Sequence, residues 1–368
     1  MNLEQQRRAS QLAFEKTNDN VVVGNLEPIP LTLEQLKATT SDSPYVVTAY
    51  ESGLTAVVYH IRIEDRDWTL KCQRAESLVK NIDGQTSFLN EVQRRRDLST
   101  LKVSKPRAFR YIVDTQFASY RDGIILSPWI NGDSIERLNR DLFEQVFEAI
   151  INIELSGLFE WDFCPGNILC NTDDEIRLFD FGYMYRFDPL THFNSNGTDT
   201  PLFHGIERFE TRFFFDYLLK NKQGLSDEQQ FELYRLEKTC ALEAYQRKLL
   251  KLTELGAMPT VIKRHTDMIN TWEEALNNDE DLQELRLIES FRSNVLDLLD
   301  DVHGQSCTPY TLKKADFILN ILVQHFELLS DTNGLFFGDE LLGKEQLREK
   351  YLALKHRAME FQLEKAAS

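Results

Sequence analysis

Trp161-Asp162-Phe163-Cys164-Pro165-Gly166-Asn167-Ile168-Leu169, followed by Leu178-Phe179-Asp180-Phe181-Gly182, decides how the rest of the chain is read. Asp162 precedes Asn167 within one loop, with apolar runs on both sides. Asp180 and Gly182 follow Ile176, Leu178 and Phe179 at the end of a short strand. Three oxygen-bearing side chains therefore stand near the mouths of adjacent short strands. Phosphoryl transfer needs such a set: Asp162 to orient and deprotonate an attacking hydroxyl, and Asn167 with Asp180 to hold Mg²⁺ against a triphosphate. A turn-capping role is the structural alternative for Asp162. Asp180, between two phenylalanines, would be a costly buried carboxylate without a cation.

Upstream, residues 141–157 place Phe143, Val146, Phe147, Ile150 and Leu155 near one stripe, and Gly157 suits the end of that helix. Further upstream the pattern is strand-like. Residues 45–50, 56–63 and 68–72 are rich in Val, Tyr, Ile and Trp and are separated by turn residues. Residues 86–98 read as a helix that buries Phe88, Leu89 and Val92, while 109–114 and 123–126 supply two more strands. Residues 1–40 read as one or two short helices around Glu27-Pro28-Ile29-Pro30, with Thr32 and Gln35 at capping-box spacing. Downstream, an irregular stretch holding Pro189, Asn196-Gly197 and Pro201 leads into helices over 206–221, 226–252, 259–276, 282–299, 311–329 and 344–364. The acidic run 273–284 is expected to be a solvated helix face or loop. Phe203, Phe209 and Phe213 to Phe215 are expected in the core of the helical part.

A chain of 368 residues can bury a sizeable core and form two lobes, and 42% hydrophobic with 27% charged residues speaks against disorder. The first eight residues lack the apolar core of a secretion signal, and no apolar run approaches the roughly 20 residues that span a bilayer, so the cytoplasm is the expected compartment. Cys72, Cys164, Cys170, Cys240 and Cys307 form no CxxC pair and are odd in number, which points to reduced thiols. The histidines form no spaced ligand set. A net charge of −17 argues against nucleic acid as a partner and suits a cationic substrate.

Asp162 to Leu169 resembles the catalytic loop of aminoglycoside and choline phosphotransferases, whose usual form is His-Gly-Asp-x-x-Pro-Gly-Asn-(Ile/Val)-Leu. The spacing from Asp162 to Asp180, and the complete Asp180-Phe181-Gly182, are similar to the protein-kinase-like superfamily as a whole. Lys71 looks like the strand lysine that grips the α and β phosphates, and Glu91 stands where its ion-pair partner is expected. Taken residue by residue, Lys71 could instead snorkel from an edge strand, and Glu91 could pair with Arg94 or Arg95 on its own helix. The resemblance covers roughly residues 45–215. It implies an α+β, bilobal protein-kinase-like fold: an N-terminal extension (1–40), an N-lobe sheet with one helix (41–127) and a large, mainly helical C-lobe (128–368). It also implies ATP and Mg²⁺ as cofactors. Ser127 and Trp129 would meet adenine through the Ser127 carbonyl and the Trp129 N–H, since Pro128 has no N–H to offer.

The chain departs from the family in several places. The phosphate-covering loop, Glu51-Ser52-Gly53-Leu54-Thr55-Ala56, keeps one glycine, Gly53, with Ser52 and Thr55 as possible hydroxyl donors. Glu160-Trp161 replaces His-Gly, so packing beneath the catalytic loop must differ. Cys164 stands where serine/threonine protein kinases carry lysine, and no Ala-Pro-Glu segment follows. Cys164 has no neighbouring histidine to activate it as a nucleophile. The expectation is an ATP- and Mg²⁺-dependent phosphotransferase acting on a hydroxyl of a small, cationic acceptor. The alternatives are a kinase-like pseudoenzyme serving as a nucleotide-sensing scaffold, and a transferase directed at protein.

Overall fold

Strands as rich in Val, Ile, Tyr and Trp as residues 45–72 must cover at least one face, and here the inner strands carry a buried core on each face while Val47 and Tyr50 stay exposed. The structure, a computed structural model, describes residues 2–222 and 224–363. The chain divides into two compact units, Met1–Gly205 with Lys248–Ile262, and Ile206–Arg247 with Lys263–Ser368. The division falls inside the region expected to form the large helical lobe.

The first unit begins with α1 (Leu3–Glu15), β1 (Val22–Gly24) and α2 (Leu33–Lys37). Next come β2 (Val46–Tyr50), β3 (Ala56–Ile63), β4 (Arg66–Gln73), α3 (Ile82–Ser104), β5 (Phe117–Ser119) and β6 (Ile124–Pro128). The six strands form one antiparallel sheet in the order β1-β5-β6-β4-β3-β2. Phe88, Leu89 and Val92 of α3 pack with Ala56, Ala118 and Ile125 in one core. A second core gathers Tyr59, Ile61, Leu70 and Leu126 with Ile29 and Leu36. Each such side chain, fully buried, contributes about 1.5–3 kcal/mol relative to exposure. Residues 1–40 therefore furnish an edge strand and part of a core, and Thr32 and Gln35 form the expected capping box.

One strand expectation is corrected, while the strand expected over 123–126 is β6. Residues 109–114 are a turn region with one bridge, Ile112 to Leu178; Phe109, Tyr111 and Ile112 are apolar because they are buried, not because they pair in a ladder. The strand of this region is β5, three residues long and too short to show a period.

The first unit continues with β7 (Gly132–Ser134), α4 (Arg140–Leu155), β8 (Leu158–Glu160), a 3-10 turn (Pro165–Asn167), β9 (Ile168–Asn171), β10 (Ile176–Leu178) and β11 (Met184–Arg186). Helix α4 buries Phe143, Val146, Phe147 and Ile150, and Gly157 just beyond it has φ +81°, a conformation that glycine takes without a Cβ penalty. β9 pairs with β10 and β7, and β8 pairs with β11.

The rest is helical: α5 (Gly205–Phe209), a π turn (Glu210–Phe214), α6 (Phe215–Lys220), α7 (Asp227–Glu254), α8 (Pro259–Leu276), α9 (Asp279–Gly304), α10 (Pro309–Asp331) and α11 (Lys344–Glu360). The last helix was expected to reach residue 364, which lies outside the described residues. Phe291, Val295, Leu298, Ile318, Leu322 and Tyr351 form the core of the second unit. Phe209, Phe213, Phe214 and Phe215 are buried as expected. Phe203 differs: it meets the Trp161 ring edge-on at 4.9 Å. The protein is α+β, with a small antiparallel sheet and a large helical part. Among the described residues no helix is long and apolar enough to cross a membrane, and the five cysteines are free thiols.

Candidate active site

Two ladders bring the catalytic-loop and Asp180 segments together within the first unit. In the β9–β10 hairpin Ile168 faces Leu178, and the Phe179 N–H donates to the Asn167 carbonyl at 3.1 Å. That register carries Asn167 and Asp180 to the same end of the hairpin. In the second ladder Glu160 faces Met184, and the Trp161 N–H donates to the Tyr183 carbonyl at 3.3 Å. Asp162 is thereby anchored to the segment just past Asp180. Pro165 opens the intervening 3-10 turn, where its missing N–H costs nothing.

Within the loop, Asn167 Nδ2 donates to the Asp162 carbonyl at 3.0 Å and to Asp162 Oδ2 at 3.4 Å. Its Oδ1 is left as the acceptor facing outward from these bonds. Asp180 has φ +64°, a left-handed conformation that aspartate tolerates better than most residues.

Lys71, on β4, sits between Glu91 and Asp180. Its Nζ lies 2.6 Å from Glu91 Oε2 and 2.8 Å from Asp180 Oδ2. Burial works against the ammonium, but Asp180 and then Glu91 outweigh it and hold the Lys71 pKa above the ordinary lysine value. Burial likewise works against the Asp180 carboxylate; Lys71 and Arg95 overcome it and hold the group below the usual range. Both pairings open to Glu91 are present together, since Arg95 Nη2 donates to Glu91 Oε1 at 3.0 Å. Lys71 is buried, which removes the snorkelling alternative.

The remaining expected contacts lie on the same sheet. The Trp129 N–H donates to the Asp67 carbonyl at 3.1 Å and so belongs to the β4–β6 edge. The Trp129 ring stacks on His60 at 3.8 Å between centroids. Ser127 is buried, and its Oγ accepts from Arg95 Nη1 at 3.3 Å. The Trp129 N–H, expected to meet adenine, is therefore already bonded within the sheet, and Ser127 stands inside the same ladder opposite Thr69. Ser52, Gly53 and Thr55 occupy the β2–β3 loop. Arg74 Nε donates to the Gly53 carbonyl at 2.8 Å, and Arg74 Nη2 reaches the Glu51 carbonyl. The Arg74 and Leu78 N–H groups bond the Thr55 and Leu54 carbonyls. A Cβ on Gly53 would stand 2.4 Å from the Ala56 carbonyl oxygen, so this turn requires glycine whatever it binds.

No family model matches the chain, and no curated protein matches it.

Among the described residues no group of three or more His, Cys, Asp and Glu side chains could hold a metal. The Asn167 amide oxygen and the Asp180 carboxylate are nonetheless hard oxygen donors of the kind that hold Mg²⁺ with phosphates and water completing its shell.

The structure adds residues that the sequence reading passed over. Asn90, next to Glu91 on α3, donates through Nδ2 to the Gly182 carbonyl at 2.9 Å and the Met184 carbonyl at 2.7 Å. Gln11 of α1 donates to Asn90 Oδ1 at 3.4 Å. No break in an apolar stripe marks Asn90 in the sequence, because Thr86, Ser87 and Arg94, one turn away on the same helix, are polar and buried as well. In the sequence alone Arg95 stands only as a rival partner for Glu91, and Glu160 only as a departure from the family pattern.

Proposed function

We propose that the protein is an ATP- and Mg²⁺-dependent phosphotransferase of protein-kinase-like fold, moving the γ-phosphoryl group to a hydroxyl of a small-molecule acceptor. The observation that carries this reading is the Lys71 ammonium held between Glu91 at 2.6 Å and Asp180 at 2.8 Å. A buried cation shared by two elements of different sequence origin supports a site arranged for phosphate oxygens. Asp162 would accept the proton of the attacking hydroxyl, and its carbonyl bond from Asn167 fixes the loop that presents it. Asn167 Oδ1 and the Asp180 carboxylate would hold Mg²⁺. Bound there, the metal would neutralise charge on the triphosphate. A net charge of −17 favours a cationic alcohol as acceptor.

Calorimetry of wild type and Asp180→Ala with ATP, with and without Mg²⁺, tests the reading alongside slow ATP turnover. Metal-dependent binding and turnover in wild type, both lost in the variant, are expected. Asp162→Asn should keep ATP binding and lose about 10²- to 10⁴-fold in turnover, the usual share of general-base catalysis. A folded Asp162→Asn protein with full turnover would exclude the role.

The β2–β3 loop favours a second reading, a nucleotide-sensing scaffold. Its one glycine is explained by the Ala56 carbonyl, and its carbonyls are tied to Arg74 and Leu78. ATP binding that is indifferent to Mg²⁺ and without turnover would select it.

A further inference from the structure

Glu160 ends β8 as the single charged residue in Leu158-Phe159-Glu160, and it is only 5% exposed. Its Oε1 accepts the Asp162 N–H at 2.8 Å. Its Oε2 is buried and has no hydrogen-bond partner among the described residues. A buried carboxyl oxygen without a partner is costly, and a strand position facing an apolar core has no need of one. The hydrogen bond at Oε1 is therefore informative: it grips the backbone of the proposed base.

Burial, followed by the nearby Asp162 and Asp180 carboxylates, pushes Glu160 well above the ordinary carboxylate range. The direction of that shift disfavours a third negative charge beside Asp162 and Asp180, which would repel an anionic triphosphate, and the acceptor bond to the Asp162 N–H does not depend on that charge.

We propose that Glu160 is a positioning residue, whose hydrogen bond to the Asp162 N–H sets where the Asp162 carboxylate stands for transfer. Its kinetic consequence rests on the phosphotransferase reading; the contact itself does not. Asp162 is also held by Asn167 through its carbonyl, so the two bonds fix the peptide on either side of the Asp162 Cα. Losing one lets the carboxylate swing, and small misplacements of this kind are expensive in rate.

The test compares wild type, Glu160→Gln and Glu160→Ala by two measurements. The first is amide exchange at Asp162, followed by NMR on ¹⁵N-aspartate-labelled protein. The second is steady-state phosphoryl transfer from Mg-ATP to water, read as phosphate release. Glu160→Ala should lose protection at the Asp162 amide and drop on the order of tenfold to hundredfold in kcat. Its KM for Mg-ATP should stay within about twofold, since nucleotide contacts are untouched. Glu160→Gln keeps the acceptor oxygen and should restore both protection and most of the turnover. A merely structural residue would show no such split and no selective rescue.

Unchanged protection in Glu160→Ala, or full turnover despite lost protection, overturns the positioning role and leaves the phosphotransferase reading standing. A wild type protected at the Asp162 amide yet devoid of phosphotransfer overturns the phosphotransferase reading, and with it any catalytic purpose for the contact. If Glu160→Ala does not fold, Glu160→Gln decides: lost protection in that variant overturns the assignment of Oε1 as acceptor.

Discussion

A lysine sealed beside two carboxylates defines geometry more than it stabilises a fold. Breaking a buried pair usually costs about 3–5 kcal/mol because a charge is abandoned in low dielectric. Lys71→Met should cost less than this in urea denaturation, since Arg95 still meets Glu91 and the Asp180 side chain retains 38% of its surface exposed. The nucleotide should suffer far more, and loss of ATP binding with modest loss of stability is the expected signature. Glu160 gives a pH effect with a definite sign. Its folded pKa lies above its unfolded value near 4.5, so the native chain holds a proton that the unfolded chain has released. Stability therefore falls as pH rises through that window. Glu160→Gln should flatten the fall, and its advantage over wild type in denaturant midpoint should grow with pH. Cys72, on β4, is pushed up to about 12 by burial. Its thiol should resist iodoacetamide at neutral pH, as mass spectrometry of the alkylated protein would report.

At the scale of elements, α3 links what the sequence displays with what it conceals. The pairing of Glu91 with Lys71 was legible because the family resemblance places a carboxylate on the helix after the lysine's strand. Asn90 was not, because its purpose appears only when the backbone of residues 182–184 arrives beside it. Asn90→Ala should lower stability by about 1–3 kcal/mol, the cost of leaving buried carbonyls unpaired. Faster amide exchange around Gly182 and Met184 should accompany it, while a variant with wild-type exchange there would show that the grip is dispensable. The long elements were readable from period and ends: α4 ended near Gly157, and the helix expected over 226–252 is α7, preceded by reciprocal bonds between Ser226 and Gln229. The three-residue strands β1 and β5 carry too few residues to show alternation. Residues 109–114 misled for the opposite reason, since burial alone made a turn look like a strand.

On the scale of the whole molecule, the first unit is assembled from two separate stretches of chain, Met1–Gly205 and Lys248–Ile262. No local pattern announces this, because residues 248–254 are the last two turns of one regular helix, α7, whose earlier residues belong to the second unit. The join is chemical: Lys248 Nζ lies 2.9 Å from Glu154 Oε2, and both side chains are buried. Glu154 Oε1 also accepts the Gly205 N–H at 3.1 Å. Lys248→Met should therefore destabilise the first unit by about 3–5 kcal/mol, and Glu154→Gln combined with it should recover part of the loss. Differential scanning calorimetry would check both. The same arrangement bears on how the chain is made. Translation delivers residues 206–247 before Lys248, so a nascent chain halted there lacks the ammonium that Glu154 meets in the folded protein. The first unit can therefore be completed only after residues 206–247 of the second have been made, and the order of synthesis differs from the order of completion.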